Sequence, residues 1–202
     1  SLTRKGVSVV RENLQMWLGF NKSDWVGGEL VVKDKSTNTN NAKLFTGKAL
    51  SFDGVNDYVD ADGFTMSGDT ATFSFWMNSN DTVGRVLDMN PNRLAIGFNN
   101  NELSLFAGSW NDFGVITTGG TFRVSIVING TNAKCYVDGI QLGTEKTITA
   151  INLSSATESK IGSNFNNTGA FFNGILSDFQ IYNKAWTASD VAFDYNNPNH
   201  LA

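Results

Sequence analysis

The chain has 202 residues, 41% of them hydrophobic and 12% aromatic, which is enough for one domain with a sizeable buried core. Its 20 glycines and 2 prolines are typical of many short strands joined by tight turns, and its single cysteine excludes an intrachain disulfide. The formal net charge of −4 disfavours binding to nucleic acid, because that needs a concentrated basic surface.

Residues 1–12 combine basic and apolar side chains in a segment that predicts an edge strand or an arm docking on another chain: Arg4, Lys5, Val7, Val9, Val10 and Arg11. The opening SLTRKGVSVV lacks the apolar run of a signal peptide, and no later stretch approaches the roughly 20 apolar residues of a membrane span. Either a leader has been removed or the protein is not secreted through one. The initial Ser, which methionine trimming would leave, favours the second alternative.

Alternating polar and apolar residues, with turn signals between them, run through the rest of the chain. They predict strands at 29–33, 48–52, 57–60, 69–78, 84–88, 93–97, 102–107, 113–117, 121–129, 133–137, 140–143, 157–162 and 171–182. Asn129-Gly130 and Asp138-Gly139 predict tight turns on either side of 133–137. So many short strands at this spacing predict a sandwich or a barrel.

Only residues 187–195 read as a helix. Thr187 is a candidate N-cap with Asp190 three residues later, and Val191 and Tyr195 lie one helical turn apart. The segment is short, so we expect a terminal helix that packs on the sandwich.

An acidic stretch, KALSFDGVNDYVDADGF at residues 48–64, contains Asp53, Asp57, Asp60 and Asp62. These side chains could be catalytic acids, calcium ligands or turn residues. The turn interpretation is favoured, because a short Asp side chain satisfies local backbone amides and Gly54 is free to take a positive φ. We therefore predict a hairpin in which the chain turns at 53–56 and Tyr58 and Val59 begin the return strand.

The order of several motifs resembles the laminin-G-like branch of the concanavalin A-like lectin/glucanase superfamily. The motifs are WLGF (17–20), DKS (34–36), GKALSFDGVNDYVD (47–60), ATFSFWM (71–77), RVSIVING (123–130), AKCYVDG (133–139) and FFNGILSDFQIYNKAWTASDV (171–191). The resemblance implies an all-β jelly-roll sandwich of two antiparallel sheets over residues 13–202, with ligand sites on rim loops or on the concave face. Phe122 stands where many members have Trp, and the segment before Leu14 has no counterpart in the family.

Catalysis is disfavoured by the carboxylates that the chain carries. The glucanase relatives place ExDxxE on one strand, and none of the five glutamates here begins such a motif. The single histidine, His200, is read as an exposed tail residue, which leaves no Ser-His-Asp arrangement. A hydrolase that uses aspartates remains an alternative.

The resemblance also implies a possible calcium ion on a rim loop. Its candidate ligands here are Asp53, Asp57, Asp88 and Asp112. The competing interpretation, which we favour, is that aspartates at turns bond their own backbone.

Aromatic side chains carry the case for ligand binding, because sugars stack on aromatic rings while amides and carboxylates bond their hydroxyls. Trp17, Trp76 and Trp186 match packing positions of the family, whereas Trp25 and Trp110 do not. Two loops are predicted to form a ligand rim: one with Trp110, Asn111 and Asp112, the other with Phe165, Asn166 and Asn167. The alternative is that these aromatics cover the core.

These observations together predict a non-catalytic recognition or structural domain for glycans or another surface. Without a visible leader, and with the segment 1–12, the chain suits a phage virion component, either a capsid decoration or a tail-fibre protein, that joins a larger assembly. Its expected partners are then glycans or proteins of the host or virion surface, and its location is the virion surface or the extracellular space. The alternatives are a secreted or cell-surface lectin or adhesion module and a glycan hydrolase.

Overall fold

The computed structural model describes residues 49–80, 82–91, 94–152, 154 and 156–197, together with the backbone of 14–18, 31–32 and 42–43. The predicted docking arm (Arg4, Lys5, Val7, Val9, Val10 and Arg11) and Trp25 lie outside these residues. The strands are β1 (Leu14–Leu18), β2 (Val31–Val32), β3 (Ala42–Lys43), β4 (Leu50–Asp53), β5 (Val59–Asp60), β6 (Thr70–Ser79), β7 (Arg85–Asn90), β8 (Leu94–Asn99), β9 (Glu102–Ala107), β10 (Ser109–Gly114), β11 (Thr121–Asn129), β12 (Asn132–Val137), β13 (Ile140–Thr147), β14 (Glu158–Ile161) and β15 (Asn173–Tyr182). Helix α1 spans Ala188–Asn196.

Two antiparallel sheets make up most of the described fold. One has the order β1-β15-β6-β11-β12-β13, with β4 also pairing with β15, and the other has the order β10-β9-β8-β7-β14-β5. Strands β2 and β3 pair with each other. Apolar side chains of both large sheets form one contiguous core, in which Phe73, Ile126 and Leu105 are fully buried. The predicted all-β jelly-roll sandwich with one short helix is confirmed.

The predicted hairpin at residues 48–60 is wrong, although its turn chemistry is right. Strand β4 pairs with β15 in the seven-stranded sheet, whereas β5 pairs with β14 in the six-stranded sheet. The turn therefore crosses from one sheet to the other, because Phe52 and Val59 must enter the shared core from opposite sides. Asp53 caps this turn by accepting hydrogen bonds from the Val55 and Asn56 amides.

The segment around Trp110 is a strand and not the predicted loop. Strand β10 begins at Ser109, directly after Gly108, and runs antiparallel to β9. The strand is predicted at 113–117, whereas β10 spans Ser109–Gly114, so the prediction places it about four residues too late in the chain. Gly108 has a φ of 79°, a conformation that lets the chain reverse within one residue.

Helix α1 covers part of the outer face of the seven-stranded sheet. The predicted cap is confirmed: Thr187 Oγ1 accepts from the Asp190 amide, and the Asp190 carboxylate accepts from the Thr187 amide. Val191, Trp186 and Tyr182 join a second hydrophobic cluster beneath the helix. Among the described residues, no helix is long and apolar enough to cross a bilayer.

Candidate functional site

Two neighbouring rows of residues cross four strands on the outer face of the six-stranded sheet. Alternation on β9 directs Leu103 and Leu105 into the core and Ser104 and Phe106 away from it. The strand register then gives the rows Asp88–Ala95–Phe106–Trp110 and Arg85–Gly97–Ser104–Asp112. We call the group formed by Arg85, Asn99, Ser104, Phe106, Trp110 and Asp112 the Trp110 face.

The Trp110 ring is half-buried and is held on the sheet by two neighbours. Its centroid lies 5.3 Å from that of Phe106 in an edge-on arrangement, and the Arg85 guanidinium lies 4.2 Å from it. Nη1 of Arg85 donates to the carbonyls of Val83 (3.1 Å) and Phe98 (3.0 Å), which fixes the guanidinium over the ring. The ring is therefore oriented before any ligand arrives.

Gly97 makes this approach of Arg85 possible. A Cβ at Gly97 would overlap the Gly84 carbonyl and come within 3.2 Å of Cδ of Arg85. The absence of a side chain lets β7 lie close over β8, and the Gly84 carbonyl accepts from the Phe98 amide at 2.9 Å.

The Asp112 carboxylate is fixed beside the ring by two donors. Ser104 Oγ donates to it at 2.6 Å, and Asn99 Nδ2 donates at 3.0 Å. Asn111, also predicted as a ligand contact, instead donates its amide to the Ser109 carbonyl at 2.9 Å. A flat apolar ring next to an oriented carboxylate is an arrangement suited to a polyhydroxylated ligand.

The second predicted loop borders the same face. The Arg85 amide donates to the Ala170 carbonyl at 2.9 Å, so the end of the loop lies beside the residue that holds Trp110. Phe165 is half-buried and Asn166 is exposed. Asn167 has a φ of 58°, and its buried Oδ1 has no hydrogen-bond partner within the described part of the chain. The structure thus brings Trp110 and the Ala170 end of the second loop to Arg85, whereas Phe165, Asn166 and Asn167 lie three to five residues before that contact.

Arg85, Asn99, Ser104 and Phe106 are members of the face that the sequence interpretation missed. Alternation within each strand could have placed Ser104 and Phe106 on the outer side. It could not have shown that Arg85, on a strand three positions away in the sheet, reaches Trp110.

The four proposed calcium ligands do not come together. Asp53 and Asp57 bond the turn between the sheets, where Asp57 accepts from the Asp53 amide at 3.0 Å. Asp88 is fully buried on β7, three strands from Asp112 on β10, a separation of about 14 Å at ~4.8 Å per strand. No group of three or more possible metal-ligating side chains occurs among the described residues.

The other two aspartates of the acidic stretch form ion pairs. Lys160 Nζ lies 2.6 Å from Asp62 and 3.3 Å from Asp60, and the Ser159 amide donates to Asp62 at 2.7 Å. Burial raises the pKa of Asp62, but the hydrogen bonds from Lys160 and Ser159 outweigh it and hold this pKa below its ordinary value. These contacts attach β5 to β14, so this half of the acidic stretch has a structural explanation.

Similar structures share this fold at low sequence identity. Domain 4 of AbnA, an extracellular arabinanase from Geobacillus stearothermophilus solved in complex with arabinotriose, is 20% identical over 90% of this chain and 97% of that domain, with a TM-score of 0.69. The binding domain of botulinum neurotoxin DC, in complex with rat synaptotagmin II, is 14% identical over 93% of this chain, with a TM-score of 0.66. Trypanosoma rangeli sialidase in complex with sialic acid is 13% identical over 93% of this chain, with a TM-score of 0.66. The chain covers 52% of the toxin domain and 33% of the sialidase.

Sequence comparison gives the family. Among curated proteins, none matches this chain. A laminin G family model, described as concanavalin A-like lectin/glucanases superfamily, matches residues 53–192, which run from the end of β4 into helix α1 and contain β5 to β15. The chain therefore belongs to the concanavalin A-like lectin/glucanase superfamily, through its laminin G family.

Proposed function

We propose that the protein is a non-catalytic glycan-binding domain and that the Trp110 face is its binding surface. The observation that carries this proposal is the Trp110 ring, oriented by Arg85 and Phe106 next to the fixed Asp112 carboxylate. A sugar ring can stack its C–H face on the side of the indole that Arg85 does not cover, while the carboxylate and the Asn99 amide bond its hydroxyls. The loop with Phe165, Asn166 and Asn167 supplies further polar groups at one border.

The comparisons support this proposal at the level of the fold. The arabinanase domain matches this chain over almost its whole length and was solved with arabinotriose, and the sialidase was solved with sialic acid. Arabinotriose and a sialylated oligosaccharide are therefore suitable first probes, alongside a glycan array.

Replacement of Trp110 by Ala tests the surface. We expect affinity for any glycan found on the array to fall at least about tenfold in isothermal titration, because an aromatic anchor is lost. Asp112→Asn should weaken binding less. Tyr58→Ala removes a half-exposed aromatic from the turn between the sheets and is the matched control, with thermal melts to verify that each variant folds. Unchanged affinity in Trp110→Ala, or an equal loss in Tyr58→Ala, would show that glycans bind elsewhere.

Hydrolysis by aspartate carboxylates is the alternative. Analysis of the oligosaccharide products, after incubation with the same glycans, distinguishes it from binding. A retaining glycosidase needs two carboxyl groups about 5 Å apart and an inverting one needs roughly 6.5–9.5 Å. Asp112 and Asp88 are separated by more than either distance. Release of shorter oligosaccharides by the wild-type protein, abolished in Asp112→Asn, would replace the binding proposal with an enzymatic one.

The attachment of the domain to a larger particle or surface stays a prediction. It depends on Arg4, Lys5 and Arg11 and their apolar neighbours, which lie outside the described residues. The roles of phage capsid decoration, tail fibre or secreted adhesion module are all compatible with a glycan-binding face.

A further inference from the structure

A small cavity lies on the opposite side of the molecule from the Trp110 face. It has a volume of about 190 Å³ and opens where β11, β12 and β13 meet the beginning of α1. We call it the α1 cavity. Neither predicted ligand loop contributes to it, so its contents are independent of the proposed function.

The floor of the α1 cavity is apolar but ends in two polar groups. Val127, Tyr136 and Trp186 form it, with only 6%, 5% and 4% of their surfaces exposed. Within the described part of the chain, neither the Tyr136 hydroxyl nor the Trp186 indole N–H has a hydrogen-bond partner, and neither atom is sealed inside the protein. Buried aromatic residues usually satisfy these groups, and both residues line the cavity, so a ligand in the cavity is the partner that we assign to them.

The wall of the cavity carries amides and one ion pair. Asn129 and Asn132 face each other across β11 and β12, and both are exposed. Lys134 Nζ lies 3.0 Å from Glu145 Oε2. The Glu145 carboxylate raises the pKa of Lys134 by hydrogen bonding and by its charge, which favours the charged ammonium in the cavity wall.

This set of groups favours a neutral ligand with several hydroxyls. A cation would meet Lys134 and an anion would meet Glu145, whereas a hydroxyl can accept from the ammonium, the indole and the amides and donate to the carboxylate. The volume is below the roughly 300–1,000 Å³ of sites for drug-sized ligands, so it limits the ligand to one ring.

We propose that the α1 cavity is a second carbohydrate site, which holds a single neutral sugar ring between Tyr136, Trp186 and the Asn132–Lys134–Glu145 wall. The ring rests on the aromatic floor and bonds the Tyr136 hydroxyl and the indole N–H. The domain would then contact glycans on two opposite faces.

The test is a titration of the ¹⁵N-labelled full chain with D-glucose, D-galactose, D-mannose, D-xylose and L-arabinose. Binding is monitored through the chemical shifts of the backbone amides in NMR spectra. We expect saturable shifts at Asn132, Lys134 and Thr187 with at least one of these sugars. Tyr136→Phe should weaken that binding roughly threefold to tenfold, the effect of one hydrogen bond. The melting temperature should not change, because the hydroxyl bonds no described protein group.

Two controls keep the outcome unambiguous. Tyr195→Phe removes a phenol hydroxyl outside the cavity and should bind as the wild type does, and Trp110→Ala should leave the shifts at the cavity intact. If Tyr136→Phe does not fold, Asn132→Ala takes its place, since that side chain is exposed. The proposal fails if no neutral sugar shifts these amides, or if glucuronate or phosphate binds there and neutral sugars do not. It also fails if the cavity variant, Tyr136→Phe or its replacement Asn132→Ala, binds as well as the wild type. Loss of the shifts in Trp110→Ala would likewise overturn it.

Discussion

Arg123 shows how one buried charge connects distant parts of the chain. It is 2% exposed, and its Nε and Nη2 donate to Asp194 of α1 at 2.7 and 3.0 Å. Nη1 donates to Asp178 at 2.9 Å, and Ser74 Oγ also donates to Asp194. Burial lowers the pKa of Arg123, but the charges of Asp194 and Asp178 raise it by more than burial lowers it. The net pKa is therefore above its ordinary value and the guanidinium stays charged. In the sequence Arg123 only alternates with apolar residues, which indicates a solvent-facing side chain, and the helix that covers it cannot be seen there.

Replacement of Arg123 by Met should reduce the free energy of unfolding by about 3–5 kcal/mol, because it leaves the fully buried Asp194 carboxylate without its cation. Urea denaturation, monitored by tryptophan fluorescence, measures this decrease in the free energy of unfolding. Lys184→Met, which removes a partly exposed ion pair with Asp190 at 3.9 Å, is the control and should cost less than about 1 kcal/mol. Similar losses in the two variants would mean that the buried network contributes no more than a surface pair.

At the scale of elements, strand β13 closes one side of the sandwich. It is the last strand of its sheet and most of its side chains are exposed. Gly143 nevertheless brings its backbone against the Phe113 carbonyl of β10, and Leu142 packs within 3.3 Å of the position that a Cβ at Gly114 would occupy. The edges of the two sheets therefore approach each other at a glycine with a φ of 64°.

Gly143→Ala should be markedly destabilising. The left-handed backbone alone costs roughly 1–2 kcal/mol, and the new methyl group would also overlap the Phe113 carbonyl. Gly119→Ala is the matched control, since Gly119 has a φ of 76° and nothing within 4 Å of an added Cβ. Thermal melts should show a larger decrease in Tm for Gly143→Ala. Equal decreases would mean that the approach of β13 to β10 is not tight in solution.

At the scale of the whole molecule, strand pairing and burial in the described residues are most extensive at the centre of the sandwich and decrease towards the edge strand β13. Strands β6 and β11 pair over nine consecutive residues, and Phe73, Phe75 and Ile126 on them are fully buried. The Trp110 face centres on β10, an edge strand of the other sheet, and so lies away from this pair. The α1 cavity lies at the β11–β13 side, where Val127 and Asn129 of β11 line it, so a sugar there would contact one strand of the central pair.

Native-state hydrogen exchange should reproduce this gradient. We expect amides of β6 and β11 to exchange only through global unfolding, while those of β13 exchange through local opening, because β13 buries few side chains. Exchange measured by NMR over a range of low denaturant concentrations separates the two cases. Protection of β13 equal to that of β11 would contradict the gradient.

Prediction from sequence was accurate where the determinant is local. The predicted strands at 102–107 and 121–129 coincide with β9 and β11, and Thr187 and Asp190 form the predicted capping box. Asp53 bonds the turn amides as predicted. Each of these features depends on residues within a few positions of one another, through alternation, φ preference or a short side chain reaching its own backbone.

The sequence by itself determined the all-β class, the position of most strands, the single capped helix and the family motifs. Only the tertiary structure decided that β4 and β5 belong to different sheets, that Arg85 lies over Trp110, and that Tyr136 and Trp186 form the floor of one cavity. The physical reason is that alternation specifies which side chains of a strand share a face, whereas the partner strand and its register depend on how all the apolar faces are buried together. Binding faces are composed across such partners, and so they appear only when the sheets are assembled.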